Sequence, residues 1–299
     1  MARRMLANLN YTLPLALIVI VAVLAASYIL KPGEVELRVS TTTSLYNTGL
    51  LDYIANEFSK ENPRVFVEFI AVGTGEALKR AERGDACLAL VHAPSLEREY
   101  IEKGVLGEGR IIAYNYFIIA GPPSDPAKVR DASSAAEAFR RIAEAGARGE
   151  AVFVSRGDNS GTHVKEMSLW KLAGVTPRGE WYKESGQGMA QTLVIASELG
   201  AYTLSDIGTY LKLKAEGRLP GIVELYHNSS ELLNIYSAYL VSSCTGEEAD
   251  AAKEFMDFLW ERQDLIASYG VEEYGQPLFY PAKDRLDWLE EEWSRLARG

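Results

Sequence analysis

Between residues 35 and 91 the apolar pattern switches repeatedly from a period of two to a period of 3.6, which restricts the chain to folds that interleave strands and helices. Val35, Leu37 and Val39 alternate as a strand that runs into Thr41-Thr42-Thr43-Ser44, and Leu50, Leu51, Ile54 and Phe58 then share one helical face. After Asn62-Pro63, residues 65–72 (VFVEFIAV) read as a second strand. Gly73-Thr74-Gly75 opens a helix through Ala77, Leu78 and Ala81 that stops at Gly84. Residues 87–91 are almost wholly apolar, as expected of a strand in a parallel sheet covered on both faces. This βαβαβ order predicts a doubly wound α/β unit.

The same pattern resumes further on. Residues 111–120 (IIAYNYFIIA) form a long apolar strand suited to crossing into a second lobe. Residues 151–154 predict a strand, followed by a helix carrying Val164, Met167, Leu169, Leu172 and Ala173 and ending at Gly174. A further helix starts near Gly188 with Met189, Leu193, Ala196 and Leu199, residues 236–242 predict a return strand, and the remainder reads as helical. The expected architecture is two doubly wound α/β lobes joined by two crossover strands: residues 35–115 with 240–299, and residues 116–239. Such a hinged pair binds its ligand in the cleft between the lobes.

Residues 13–30 (LPLALIVIVAVLAASYIL) are 18 residues without a charge, preceded by Arg3 and Arg4. At about 1.5 Å per residue they just cover a hydrocarbon core of about 30 Å. Residues 1–34 are therefore expected to be an uncleaved anchor, with the rest of the chain on the extracytoplasmic side of the cell membrane as a single-pass protein. Ala25-Ala26-Ser27 leaves a cleaved signal peptide as the alternative. In that oxidising setting Cys87 and Cys244 could pair, which sequence alone does not decide. Asn228-Ser229-Ser230 is a sequon by spacing only. With 31 basic and 41 acidic residues the formal charge is −10, which argues against a nucleic-acid partner.

Two loops carry the candidate chemistry. Thr41, Thr42, Thr43 and Ser44 place four hydroxyls at a strand's C-terminal end before a helix, the edge where ligands sit in open α/β sheets. Helix N-termini there offer free N–H donors to an anion, whereas one hydroxyl would suffice for ordinary capping. Arg156 through Thr162 repeats that geometry, with a guanidinium from Arg156 and donors from Ser160, Gly161 and Thr162. Asp158 could brace Arg156 or accept a proton from a protonated ligand. Thr74 and its neighbours lack a P-loop's Gly-Lys-Ser/Thr ending but can lend N–H groups to the same cleft. Ser160, Asp158 and His163 lie too close along the chain for a hydrolase triad and outside a G-x-S-x-G elbow, so no enzyme is expected. Arg156-Gly157-Asp158 matches an adhesion tripeptide by letters alone. His92, His163 and His227 show no metal-ligand spacing and read as structural or surface residues.

These loops, together with Val72-Gly73-Thr74-Gly75-Glu76-Ala77-Leu78, Val91-His92-Ala93-Pro94, Gly186-Gln187-Gly188-Met189 and Ala201-Tyr202-Thr203-Leu204-Ser205-Asp206, resemble the substrate-binding components of tungstate-specific ABC importers, of the type II periplasmic-binding-protein fold. The resemblance covers nearly all of residues 36–283. Its Arg-x-Asp-x-Ser-Gly-Thr core is also similar to phosphate-binding relatives. It implies that a tungstate or molybdate oxyanion is held between the two loops without a cofactor, with Asp158, Gly188 and Met189 in support. It also implies that the closed form docks on a membrane permease with its ATPase. A site made only of donors prefers a fully ionised dianion. Phosphate, protonated near neutral pH, needs an acceptor.

Overall fold

The computed structural model describes residues 33–227 and 230–298. The strand β1 (Val35–Thr42) leads through the single-turn α1 (Thr43–Tyr46) into α2 (Leu50–Glu61), β2 (Val65–Val72), α3 (Thr74–Arg83), β3 (Leu88–Val91) and α4 (Pro94–Glu102). The long β4 (Leu106–Gly121) passes into a second set comprising α5 (Ala135–Ala147), β5 (Phe153–Ser155), α6 (Gly161–Leu172), β6 (Tyr182–Glu184), α7 (Met189–Leu199), β7 (Thr203–Asp206), α8 (Ile207–Ala215) and β8 (Val223–Tyr226). The chain returns along β9 (Leu233–Val241) and ends with α9 (Glu247–Glu261), α10 (Gln263–Ser268), α11 (Val271–Tyr274), β10 (Tyr280–Pro281) and α12 (Leu286–Leu296).

The first half is built as the periodicity predicts. β1 lies between β2 and β3, parallel to both, in the strand order β10-β4-β9-β3-β1-β2. The four residues of β3 are buried, and the helical face of Leu50, Leu51, Ile54 and Phe58 packs with Leu37, Phe255 and Leu259 in one core. β9 joins antiparallel to β3, with Leu88 opposite Leu240 and Val91 opposite Ser237. Cys87, just before β3, forms a disulfide with Cys244, just after β9; their Cα atoms are 5.3 Å apart across 157 residues of sequence.

The second half departs from the expected doubly wound sheet. β4 pairs with β9 as far as Tyr116 and then, from Phe117, with β7 and β8, both antiparallel. The parallel component is a two-stranded β5–β6 pair, supplemented by a bridge from Phe153 to Tyr202. These strands are three or four residues long, so helices and aromatic packing carry this half: Phe139, Phe153, Trp170 and Tyr202 are fully buried together. α6 also faces inward differently from expectation. Met167 and Leu172 are exposed, and its buried side carries Glu166, Leu169 and Trp170. The predicted membrane span at residues 13–30 and the Asn228-Ser229 part of the sequon lie outside the described residues. Among the described residues no helix is long and apolar enough to cross a membrane.

Candidate functional site

Parallel register sets the first wall of the site. Thr41 lies opposite Ala71 and Leu90, and Thr42 opposite Val72, so β1, β2 and β3 end at one level and release Thr43, Gly73 and His92 along one edge. The predicted helix directly after Thr41–Ser44 is interrupted. Thr43–Tyr46 form one short turn capped by Thr42, whose Oγ1 accepts from Leu45 N at 3.3 Å, and the long helix begins only at Leu50. The substantial helix N-termini are α3, α6 and α7. α6 is capped by Ser160, whose Oγ accepts from His163 N at 3.2 Å, which is the ordinary capping role. The N-caps of α3 and α7 are Gly73 and Gly188, which have no side chain to occupy the first N–H groups.

The loops of the two halves meet. Arg156 Nη2 lies 3.4 Å from Thr43 Oγ1, Gly75 N donates to Asn159 O at 3.4 Å, and a Cβ on Gly73 would sit 3.6 Å from Ser160. A Cβ on Gly188 would lie 3.7 Å from Thr43 Oγ1, placing that helix start at the site, whereas the Met189 side chain is part of an apolar core. Thr41, Thr42, Ser44, Thr74, Arg156, Ser160 and Thr162 are all at most 2% exposed. Asp158 braces the arginine: Oδ2 accepts from Arg156 Nη2 at 2.6 Å and Oδ1 from Ser160 N at 3.1 Å.

Among the described residues, six buried side-chain polar atoms have no hydrogen-bond partner within the protein. Four belong to the predicted set: Thr41 Oγ1, Thr74 Oγ1, Thr162 Oγ1 and Arg156 Nε. Leaving a buried donor unpaired costs about 1–3 kcal/mol, so four on the segments whose loops meet here fit a ligand rich in acceptors. A planar arginine nitrogen, hydroxyls and uncapped helix starts together match an oxyanion.

The hydrolase arrangement is not assembled. His163 Nδ1 accepts from Asn159 N at 3.0 Å rather than facing the Ser160 hydroxyl, and both oxygens of Asp158 are engaged elsewhere. His163 is held below its ordinary value by burial, which the Asp158 and Glu184 charges partly offset.

Two residues absent from the predicted set stand behind it. His92 is buried between Ser44 and Asn234, its ring stacked on Tyr236, and burial pushes it down to about 4, with the nearby Arg156 and Lys165 charges adding to the effect. Its place directly after the apolar strand 87–91 was the available signal. Glu166 accepts from Ser155 Oγ at 2.7 Å, Trp170 Nε1 at 3.0 Å and Tyr182 Oη at 2.8 Å, and burial raises it to about 7. Ser155 Oγ in turn accepts from Gly157 N at 3.2 Å, so this carboxyl supports the loop that presents Arg156. Nothing in the helical pattern of residues 161–172 marks Glu166 as inward-facing.

Residues 31–262 match the model of the PBP superfamily domain. The chain is 39% identical to the tungstate-binding protein TupA of Peptoclostridium acidaminophilum, over 83% of this chain and 89% of that one. It is 35% identical to the protein of the same name from Campylobacter jejuni, over 81% and 89% of the two chains. The crystal structure of the tungstate ABC transporter from Geobacter sulfurreducens is 41% identical, covers 80% of this chain and 100% of its own, and superposes with a TM-score of 0.71. The fold and these likenesses agree, and the chain belongs to the PBP superfamily, in the family of the tungstate-binding proteins.

Proposed function

We propose that this protein is the extracytoplasmic binding component of an ABC importer, capturing tungstate, and molybdate as a second ligand, between lobes 35–115 with 240–299 and 116–239. The carrying observation is the set of unpartnered buried donors at Thr41, Thr74, Thr162 and Arg156, contributed by separate segments of both halves. Thr43, Ser160, Gly161 and the helix start at Gly188 complete the enclosure. The closed form is then the species offered to the permease and its ATPase. Each Asp158 oxygen already accepts a bond within the protein, so no free carboxylate oxygen faces a phosphate that keeps its proton, and the unpartnered donors favour a fully ionised oxyanion. Tethering through residues 13–30 belongs to the same reading. The intact mass of the protein recovered from membranes checks it: a chain retaining residues 1–30 is expected, and one starting after the Ala25-Ala26-Ser27 stretch replaces the anchor with a cleaved signal.

Calorimetric titration with tungstate, molybdate, sulfate and phosphate tests the assignment. Tungstate is expected to bind most tightly and phosphate not measurably, with Arg156→Ala costing more than about 2 kcal/mol for loss of a desolvated charged donor. Phosphate binding in preference to tungstate would reassign the anion. No binding by any of the four would remove the oxyanion site.

A further inference from the structure

The four hydroxyls of Thr41–Ser44 are not equivalent, and a chain of hydrogen bonds running in from the hinge strands separates them. It begins at the Leu278 carbonyl, which can only accept. Asn115 Nδ2 donates to it at 3.2 Å, so Asn115 Oδ1 is the atom that accepts from Asn234 Nδ2 at 2.9 Å. Asn234 spends its other amide proton on Tyr236 Oη at 2.8 Å, leaving Asn234 Oδ1 facing His92 Nδ1 at 2.9 Å. The hydrogen in that contact must come from His92. A neutral imidazole protonated at Nδ1 carries a lone pair at Nε2, and the atom opposite, at 3.2 Å, is Ser44 Oγ. Ser44 therefore donates to His92. Thr42 Oγ1, which already accepts from Leu45 N, lies 3.3 Å from Ser44 Oγ and donates to it in turn. Both protons are consumed inside the protein. Thr43 Oγ1 accepts from Arg156 Nη2 and keeps its proton, and Thr41 Oγ1 has no partner.

We propose that His92 is a positioning residue of the anion site: by accepting the Ser44 O–H hydrogen bond at Nε2 it withdraws Ser44 and Thr42 from the ligand and leaves Thr41 and Thr43 as the hydroxyl donors of that loop. This assignment rests on the oxyanion reading above. The same ring is a seat for the other half of the molecule. A Cβ on Gly161 would fall 2.6–2.8 Å from three ring atoms of His92, so the start of α6, which carries Thr162, lies directly against it. The proton order is thus fixed beneath the surface on which the site closes.

The test uses the full chain labelled with 15N in its histidine rings, with His163→Gln and His227→Gln to assign the three signals. At neutral pH, His92 is expected as the Nδ1–H tautomer, with and without tungstate; the Nε2–H tautomer or an imidazolium would overturn the proposal. Calorimetry supplies the functional half: Ser44→Ala is expected to hold tungstate affinity to within about threefold while Thr41→Val loses at least about tenfold. Equal losses would make Ser44 a ligand donor and refute it. The ring spectrum needs no bound anion, so a wild-type protein that shows the expected tautomer but binds no tungstate fails the functional reading and leaves the proton order intact.

Discussion

Arg156 and Glu166 illustrate two ways of burying a charge in this protein. The guanidinium is 2% exposed and faces the Asp158 carboxylate, so its charge is partly neutralised before any ligand arrives, and Nε remains unpartnered. Glu166 has no cation among its hydrogen-bond partners. Three neutral donors hold it, and burial raises it to about 7, well above its ordinary 4.5. A carboxyl that binds its proton more tightly in the folded state stabilises the fold fully below its unfolded value, and that contribution is lost as pH rises through the folded one. The melting temperature is therefore expected to fall between about pH 5 and pH 7, and Glu166→Gln should flatten that fall. A calorimetric melting series at several pH values for both proteins checks it; parallel curves would remove Glu166 as the source. The sequence could not have announced this residue, because burial of its carboxyl depends on Ser155 and Tyr182 arriving from other segments to join Trp170 one turn along the same helix.

At the level of elements, the succession of strands and helices in the first half was legible because β1, β2 and β3 lie between punctuating glycines or prolines and β1 alternates while β2 and β3 are mostly apolar. The second half was less so. β5, β6, β7 and β8 are too short to set a period, and their pairing depends on the partner that β4 supplies, which lies far away in sequence. The two polar loops were readable as loops that meet across the halves, whereas the hydrogen-bond order among their hydroxyls was not, since it is decided by His92 and Asn234. Cleft closure is concentrated at the start of α6, where Gly161 abuts the His92 ring. Gly161→Ala is expected to lower tungstate affinity at least about tenfold, the cost of one methyl group in a filled space, while leaving the far-UV circular dichroism of the ligand-free protein unchanged. An unchanged affinity would show that the ring can move aside. The disulfide lies at the opposite end of β3 from His92. Cys87→Ser is therefore expected to cost about 2–4 kcal/mol of stability in denaturant titrations with tungstate affinity preserved.

Over the whole molecule the charge is −10, so a dianion approaches against the far field and is captured by donors that act only at short range. Salt screens the repulsion more than it screens a buried site. The association rate for tungstate is accordingly expected to rise with ionic strength in stopped-flow fluorescence; a rate that fell would reveal a local basic funnel. Enclosure also couples binding to shape, because residues at most 2% exposed admit a ligand only when the halves part. β4 bears on how they part. It hands one unbroken backbone from β9 at Tyr116 to β7 at Phe117, with a shift of register against β9 between Ile111 and Ala113. A strand shared by both halves has no slack joint, so any opening along it is expected to be taken up as a change in its twist. The strand then works as a torsion bar: its resistance grows with angle, limits how far the cleft gapes, and returns the halves toward one another once the load is released.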